Sequence, residues 1–192
     1  MLTCIKYLLT ISVITLNFQW LLEHKESTAP RKYFQEKSDT IHWSSVYRLT
    51  YDDFQGIPKP KSNSDSDTLA LCDYTIKYKI KMVGRDLKIE AFAVFERNTS
   101  WIRVKIPLVL NHEQGHFDIA EIYALRFEKI VNDTTIKDPH DFLRFLNESF
   151  KKIVAECNEE EGKYDIISMN TLGREQYSKW ISEQLDSLAK GR

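Results

Sequence analysis

The sequence predicts an α+β fold in which an N-terminal antiparallel β-sheet is followed by three helices. Two observations carry this expectation. Residues 74–82 alternate between apolar and polar side chains, with Tyr74, Ile76, Tyr78, Ile80 and Met82 set against Thr75, Lys77, Lys79 and Lys81, and 87–95 again places Leu87, Ile89, Ala91, Ala93 and Phe95 on one side, which is the period of a strand with one covered face. After residue 105 the apolar period lengthens to that of a helix and stays there to the end. Strands that all precede helices argue against a wound parallel sheet. At 192 residues, 42% hydrophobic and 29% charged, the chain has the length and composition of one globular domain.

The first 22 residues stand apart from that domain. Lys6 is their only charge, and the run from Tyr7 to Leu22 has none. A cation followed by a short apolar stretch reads as an export signal or an N-terminal membrane anchor, placing the mature chain in the periplasm, the cell envelope or the medium. Residues 23–39 are polar and read as a linker, leaving 40–190 as the folded domain. Within it, Ile41–Leu49 is rich in β-branched and aromatic residues and predicts a strand, closed by the turn-like YDDFQG. Pro, Ser, Asn and Asp crowd into Pro58–Asp67 and make it a loop. Gly84-Arg85-Asp86 separates the two alternating runs, which therefore form a hairpin. Helices are expected over Ile106–Val131, Pro139–Glu160 and Arg174–Leu188, with Asp138 capping the second and Pro139 in its first turn. Cys72 and Cys157, the two cysteines beyond the export segment, are either a disulfide pair or two buried thiols.

Charge excludes one class of partner. With 27 Lys plus Arg against 28 Asp plus Glu, there is no cationic excess to neutralise phosphates, so nucleic acid is not an expected ligand. The lysines of 77–81 read as the solvated outer face of a strand; a binding module built on that hairpin is the weaker alternative.

Chemistry is concentrated in His112-Glu113-Gln114-Gly115-His116, inside the first helix. Two histidines four residues apart lie about 40° from each other around a helix, so both imidazoles reach one ion. Glu113, next to the first, can take a proton from a metal-bound water. Imidazole ligands with an open position suit zinc. Tyr123 and Ile130 lie on the same stripe as the pair, which is expected to face the core. Gln114, Asp118, Glu121 and Glu128 lie on the opposite side, about 160–240° away, which removes Asp118 and Glu121 as further ligands.

The run LNHEQGHFDIAEIYALRFEK, together with HWSSVYRLTYDDFQG at 42–56 and Tyr164, Asp165, Gln176 and Trp180, resembles the DUF922 family of predicted secreted zinc-dependent proteases. The resemblance spans roughly residues 40–185, with Tyr51 standing where the family usually has Trp. It implies a zincin-like metallopeptidase acting on peptide or protein substrates, with His112 and His116 as zinc ligands and Glu113 as general base. The family also keeps a His six residues after its Tyr, the natural third ligand. Here Ser168-Met169-Asn170 occupies that stretch. A third ligand is therefore sought in Glu156–Asn170, with Asp165 first and Glu160 and Asn170 behind it. The rival reading is a catalytically inactive, zincin-like envelope protein with a structural or binding role. Asp52 and Asp53 read as turn residues beside Gly56, His42 as structural, His140 as an exposed helix-start residue, and Glu159-Glu160-Glu161 as a solvated helix end with one of the three able to face the site.

Overall fold

The computed structural model describes residues 38–58 and 68–190. The expected export segment 1–22, the linker up to residue 37 and most of the loop at 58–67 lie outside the described residues. Among the described residues, no helix is long and apolar enough to cross a membrane.

The architecture is α+β, with the strands before the helices. Strands β1 (Thr40–His42), β3 (Tyr74–Val83) and β4 (Asp86–Glu96) form an antiparallel sheet in the order β1-β4-β3, and β2 (Ala70–Leu71) pairs antiparallel with β5 (Trp101–Ile102). Three helices follow: α1 (Pro107–Asn132), α2 (Pro139–Ile167) and α3 (Thr171–Ala189). β3 and β4 form the expected hairpin, with Tyr74 opposite Phe95 and Val83 opposite Asp86. Gly84 opens its two-residue turn at φ +64°, a conformation that costs a residue without Cβ very little. On β4 the expected face is buried, with Ile89, Ala91, Ala93 and Phe95 no more than 3% exposed. On β3 only the first half follows: Ile76 is buried, whereas Ile80 and Met82 are exposed because the helical layer stops short of them.

The strand expected over Ile41–Leu49 is much shorter. Only Thr40–His42 pairs with β4, and the chain then turns onto α1. The Trp43 indole N–H donates to Asp118 Oδ1 at 2.9 Å, Arg48 reaches Asp118 Oδ2 at 2.8 Å, and the Leu49 backbone N–H donates to Gln114 Oε1 at 2.7 Å. Of these, the Gln114 side chain gives the Leu49 backbone N–H the partner that a neighbouring strand would have given.

The same device explains why α1 is buried on both sides. Beyond β1, the edge of β4 is met by α1: Ala93 N–H donates to Glu121, Ala91 N–H to Glu128, and Ile89 N–H to the Asn132 side-chain oxygen, each at 2.8 Å. Gln114, Asp118 and Glu121 are therefore buried, not solvated, and the polar side of α1 is the side joined to the sheet. The opposite side packs on α2 and α3. Ile130, expected on the core stripe, is instead 44% exposed near the end of α1.

Asp138 caps α2 as expected, accepting from the N–H groups of His140 and Asp141 at 2.9 and 3.0 Å. The helix then runs seven residues beyond Glu160, to Ile167. The acidic triplet does not end it because two of its members have partners: Glu160 accepts from the Tyr177 hydroxyl at 2.9 Å, and Glu161 meets His116. α3 begins at Thr171, earlier than expected, because the Asn170 side chain caps it by accepting from Gly173 N–H at 2.9 Å. Cys72 and Cys157 are free and buried, in keeping with the two-thiol reading.

Candidate metal centre

α1 supplies two imidazoles from successive turns. His112 Nε2 and His116 Nε2 are 3.1 Å apart, as the four-residue spacing requires. From the last turn of α2, Asp165 Oδ1 comes to 3.2 Å from His112 Nε2 and 3.1 Å from His116 Nε2. Three donor atoms thus form a nearly equilateral triangle. Ligands about 2.0–2.1 Å from a tetrahedral zinc stand roughly 3.3 Å from one another, so this triangle has the dimensions of one face of such a site. His112, His116 and Asp165 are the group among the described residues whose ligand atoms converge in this way.

What turns both Nε2 atoms inward lies on the far side of each ring. His116 Nδ1 is in close contact with the Glu161 carboxylate, and His112 Nδ1 is 3.1 Å from Ser168 Oγ. With each Nδ1 carrying the proton toward its oxygen partner, each Nε2 presents a lone pair to the shared point. Glu161, Asp165 and Ser168 are spaced i, i+4, i+7, so one stripe of α2 brings both supporting oxygens and the third donor to α1. Tyr164, on the same stripe, stacks on the His112 ring with centroids 4.8 Å apart and 12° between planes, and its hydroxyl donates to the His112 carbonyl at 3.2 Å.

The electrostatics favour positive charge at this point. Burial alone would lower the affinity of His116 for a proton, but hydrogen bonds to Asp165 and Glu161 reverse the effect and push it up to about 10. Hydrogen bonds from both histidines hold the Asp165 carboxyl far below the usual carboxylate range, against the effect of burial. Burial raises Glu161, with its bond to His116 pulling the other way. A donor set that gathers a proton so firmly is equally suited to a cation in its place. The residues present fit a zinc ion. Neither thiol is among the converging donors; burial pushes Cys157 up to about 12 and Cys72 well above its ordinary value.

Glu113 is buried, 6% exposed, and lies outside the triangle. Its carboxylate accepts the backbone N–H of Cys72, and burial raises its proton affinity while the two histidines oppose that rise. It lines, with both histidines and Asp165, a cleft of about 840 Å³ between β2, the first turns of α1 and the end of α2.

Of the other residues singled out from sequence, Glu160 bonds to Tyr177 and Lys163, and Asn170 caps α3; neither joins the donors. Asp52 is an exposed turn residue. Asp53 closes the turn as expected but is fully buried, 2.8 Å from the guanidinium of Arg97, which is also buried. His42 stacks on Phe92, and His140 is exposed at the start of α2. Sequence reasoning missed Ser168, and it gave Glu161 no specific role. The signal available was the repeat of helical spacing from Glu161 through Asp165 to Ser168, matching that of the histidine pair.

No protein-family model, curated protein or solved structure was found that matches this chain, so the chemical reading rests on the residues and their geometry.

Proposed function

We propose that this chain is an exported zinc-dependent metallopeptidase, of the kind the DUF922 resemblance implies, that hydrolyses peptide bonds in the cleft beside His112 and His116. The observation that carries the proposal is the triangle of His112 Nε2, His116 Nε2 and Asp165 Oδ1, with sides of 3.1–3.2 Å and a hydrogen-bonding oxygen behind each ring. The replacement of the family's third histidine left two outcomes open, a recruited carboxylate or a lost metal; the Asp165 carboxylate beside both Nε2 atoms supports the first.

Zinc bound by these donors would supply Lewis acidity toward a water molecule and a peptide carbonyl. The chain's own groups do the rest. Glu113 takes a proton from the attacking water and hands it to the departing amine, a role suited to a carboxylate whose proton affinity burial has raised. The Cys72 N–H holds that carboxylate in place. Glu161 and Ser168 keep both imidazoles in the tautomer that offers Nε2.

The test is elemental analysis of the purified chain coupled to digestion of casein and a peptide library. One zinc per chain and hydrolysis that Glu113→Gln abolishes, with zinc retained, are expected. Zinc bound in both forms, with no cleavage by either, would remove the peptidase reading and leave a metal-binding protein.

A further inference from the structure

Single exposed leucines are ordinary on a protein surface. Here four exposed apolar side chains from three separate elements line one cleft. Leu69 and Leu71 flank the buried Ala70 at β2, so strand alternation turns both to the same side; they are 47% and 44% exposed. Leu108 stands one helical turn before His112 on the same stripe of α1 and is 48% exposed. Met169 follows Ser168, the partner of His112 Nδ1, in the connection from α2 to α3, and is 79% exposed. Leu108 and Met169 are tied by their chain positions to His112 and Ser168, and β2 leads into Cys72, whose N–H bonds Glu113. Against them stands one Lys or Arg side chain among the lining residues, Arg174, whose guanidinium is engaged with the Ser168 and Met169 carbonyls and Thr171 Oγ1.

We infer that this cleft selects peptides carrying large apolar side chains next to the bond that is cut, with Leu69, Leu71, Leu108 and Met169 forming the walls that receive them. The inference rests on the peptidase reading for its occupant: a peptide that brings a carbonyl to the point shared by the two histidines and Asp165 must run past these walls. Water leaves the four side chains only when an apolar group replaces it, which is the source of the selectivity. Met, flexible and unbranched, accommodates differently shaped partners, so the preference is for apolar bulk, not for one residue.

The experiment measures binding separately from turnover. The zinc-loaded full chain carrying Glu113→Gln is titrated, by fluorescence anisotropy, with a labelled decapeptide having Leu-Phe at its centre and with the same peptide having Ser-Ser there. Burial of two such side chains predicts at least about tenfold tighter binding of the Leu-Phe peptide. Adding Leu108→Glu and Met169→Glu should reduce the preference to about threefold or less. Both positions are substantially exposed, so unchanged thermal melting shows that the fold is kept. Equal affinity for the two peptides, or a preference that survives both substitutions in a folded chain, would overturn the inference. Library cleavage by the wild-type chain with no apolar preference also overturns it while leaving the peptidase reading intact. Apolar selectivity in binding without cleavage by the wild type supports the recognition walls and removes the peptidase.

Discussion

A Cβ placed on Gly115 would lie 2.1 Å from the Tyr164 hydroxyl oxygen. The glycine between the two histidines is thus the place where α2 comes against α1, close enough for Tyr164 to stack on His112 and bond its carbonyl. Gly115→Ala should push Tyr164 away, cost about 1–3 kcal/mol through overpacking, and loosen the stripe that carries Asp165 and Ser168. Urea melts of the metal-free chain should record the loss in stability, and a competitive chelator titration the accompanying loss in zinc affinity. Tyr164→Phe, which keeps the ring, should retain zinc; equal damage from the two substitutions would show that the hydroxyl, not the steric fit, matters.

Glu161 and Ser168 touch His116 Nδ1 and His112 Nδ1, so their effect on a bound zinc ion would pass through the imidazoles. Glu161→Gln and Ser168→Ala should each weaken zinc binding about 10–100-fold, the range typical of groups that orient a metal-bound histidine, while one zinc per chain still binds at saturation. Chelator competition reads the affinity. No change in either variant would mean that the tautomers are set without these oxygens.

The hairpin, the three helices and the histidine pair were legible in the sequence because each depends on local periodicity. What was not legible depends on pairing between distant segments. Trp43–Leu49 carries strand-forming residues, but its Trp43 indole, Arg48 guanidinium and Leu49 N–H bond Asp118 and Gln114 on α1. Gln114 and Asp118 are buried polar groups that a helical wheel assigns to solvent. Glu159-Glu160-Glu161 looks like a solvated end until Tyr177 and His116 are known to face it. The third donor was legible as the first choice, Asp165, within the stretch that had to supply it; the supporting roles of Glu161 and Ser168 required knowing which stripe of α2 faces α1.

Asp53 and Arg97 predict an acid dependence unrelated to the metal centre. Burial tends to raise the Asp53 carboxyl, but hydrogen bonds from the Tyr47 hydroxyl and from Thr50, with the Arg97 charge, lower it below its ordinary 3.8. A carboxylate whose affinity for protons is depressed by folding stabilises the fold above its unfolded value, and the contribution disappears as pH falls through the folded one. Stability should therefore decline below about pH 4, and the part due to Asp53 should be missing in Asp53→Asn. At pH 7 that variant leaves Arg97 buried without its counter-charge and should be about 3–5 kcal/mol less stable. Urea melts at pH 7 and at pH 3–4 measure both effects; parallel acid dependence in the two proteins would exclude Asp53 as a contributor.

Asp165 and Asn170 divide between them what the resembling family assigns to one region, and their substitutions should separate cleanly. Asp165 Oδ1 is within 3.2 Å of both Nε2 atoms, and its side chain is 56% exposed, so Asp165→Ala removes a donor without opening a cavity. Stoichiometric zinc binding should be lost, because two imidazoles rarely hold a catalytic ion, while the metal-free chain stays folded and loses only the stability that the Asp165 bonds to the two histidines contribute at neutral pH. Asn170 accepts from Gly173 N–H and starts α3. Asn170→Ala should cost about 1 kcal/mol as a lost helix cap and leave zinc affinity unchanged. The opposite pattern, with zinc retained in Asp165→Ala and lost in Asn170→Ala, would return the third ligand to the position where the family keeps its histidine. It would require the α2–α3 connection to refold around the ion, since Asn170 is held at the start of α3 by the bond that caps it.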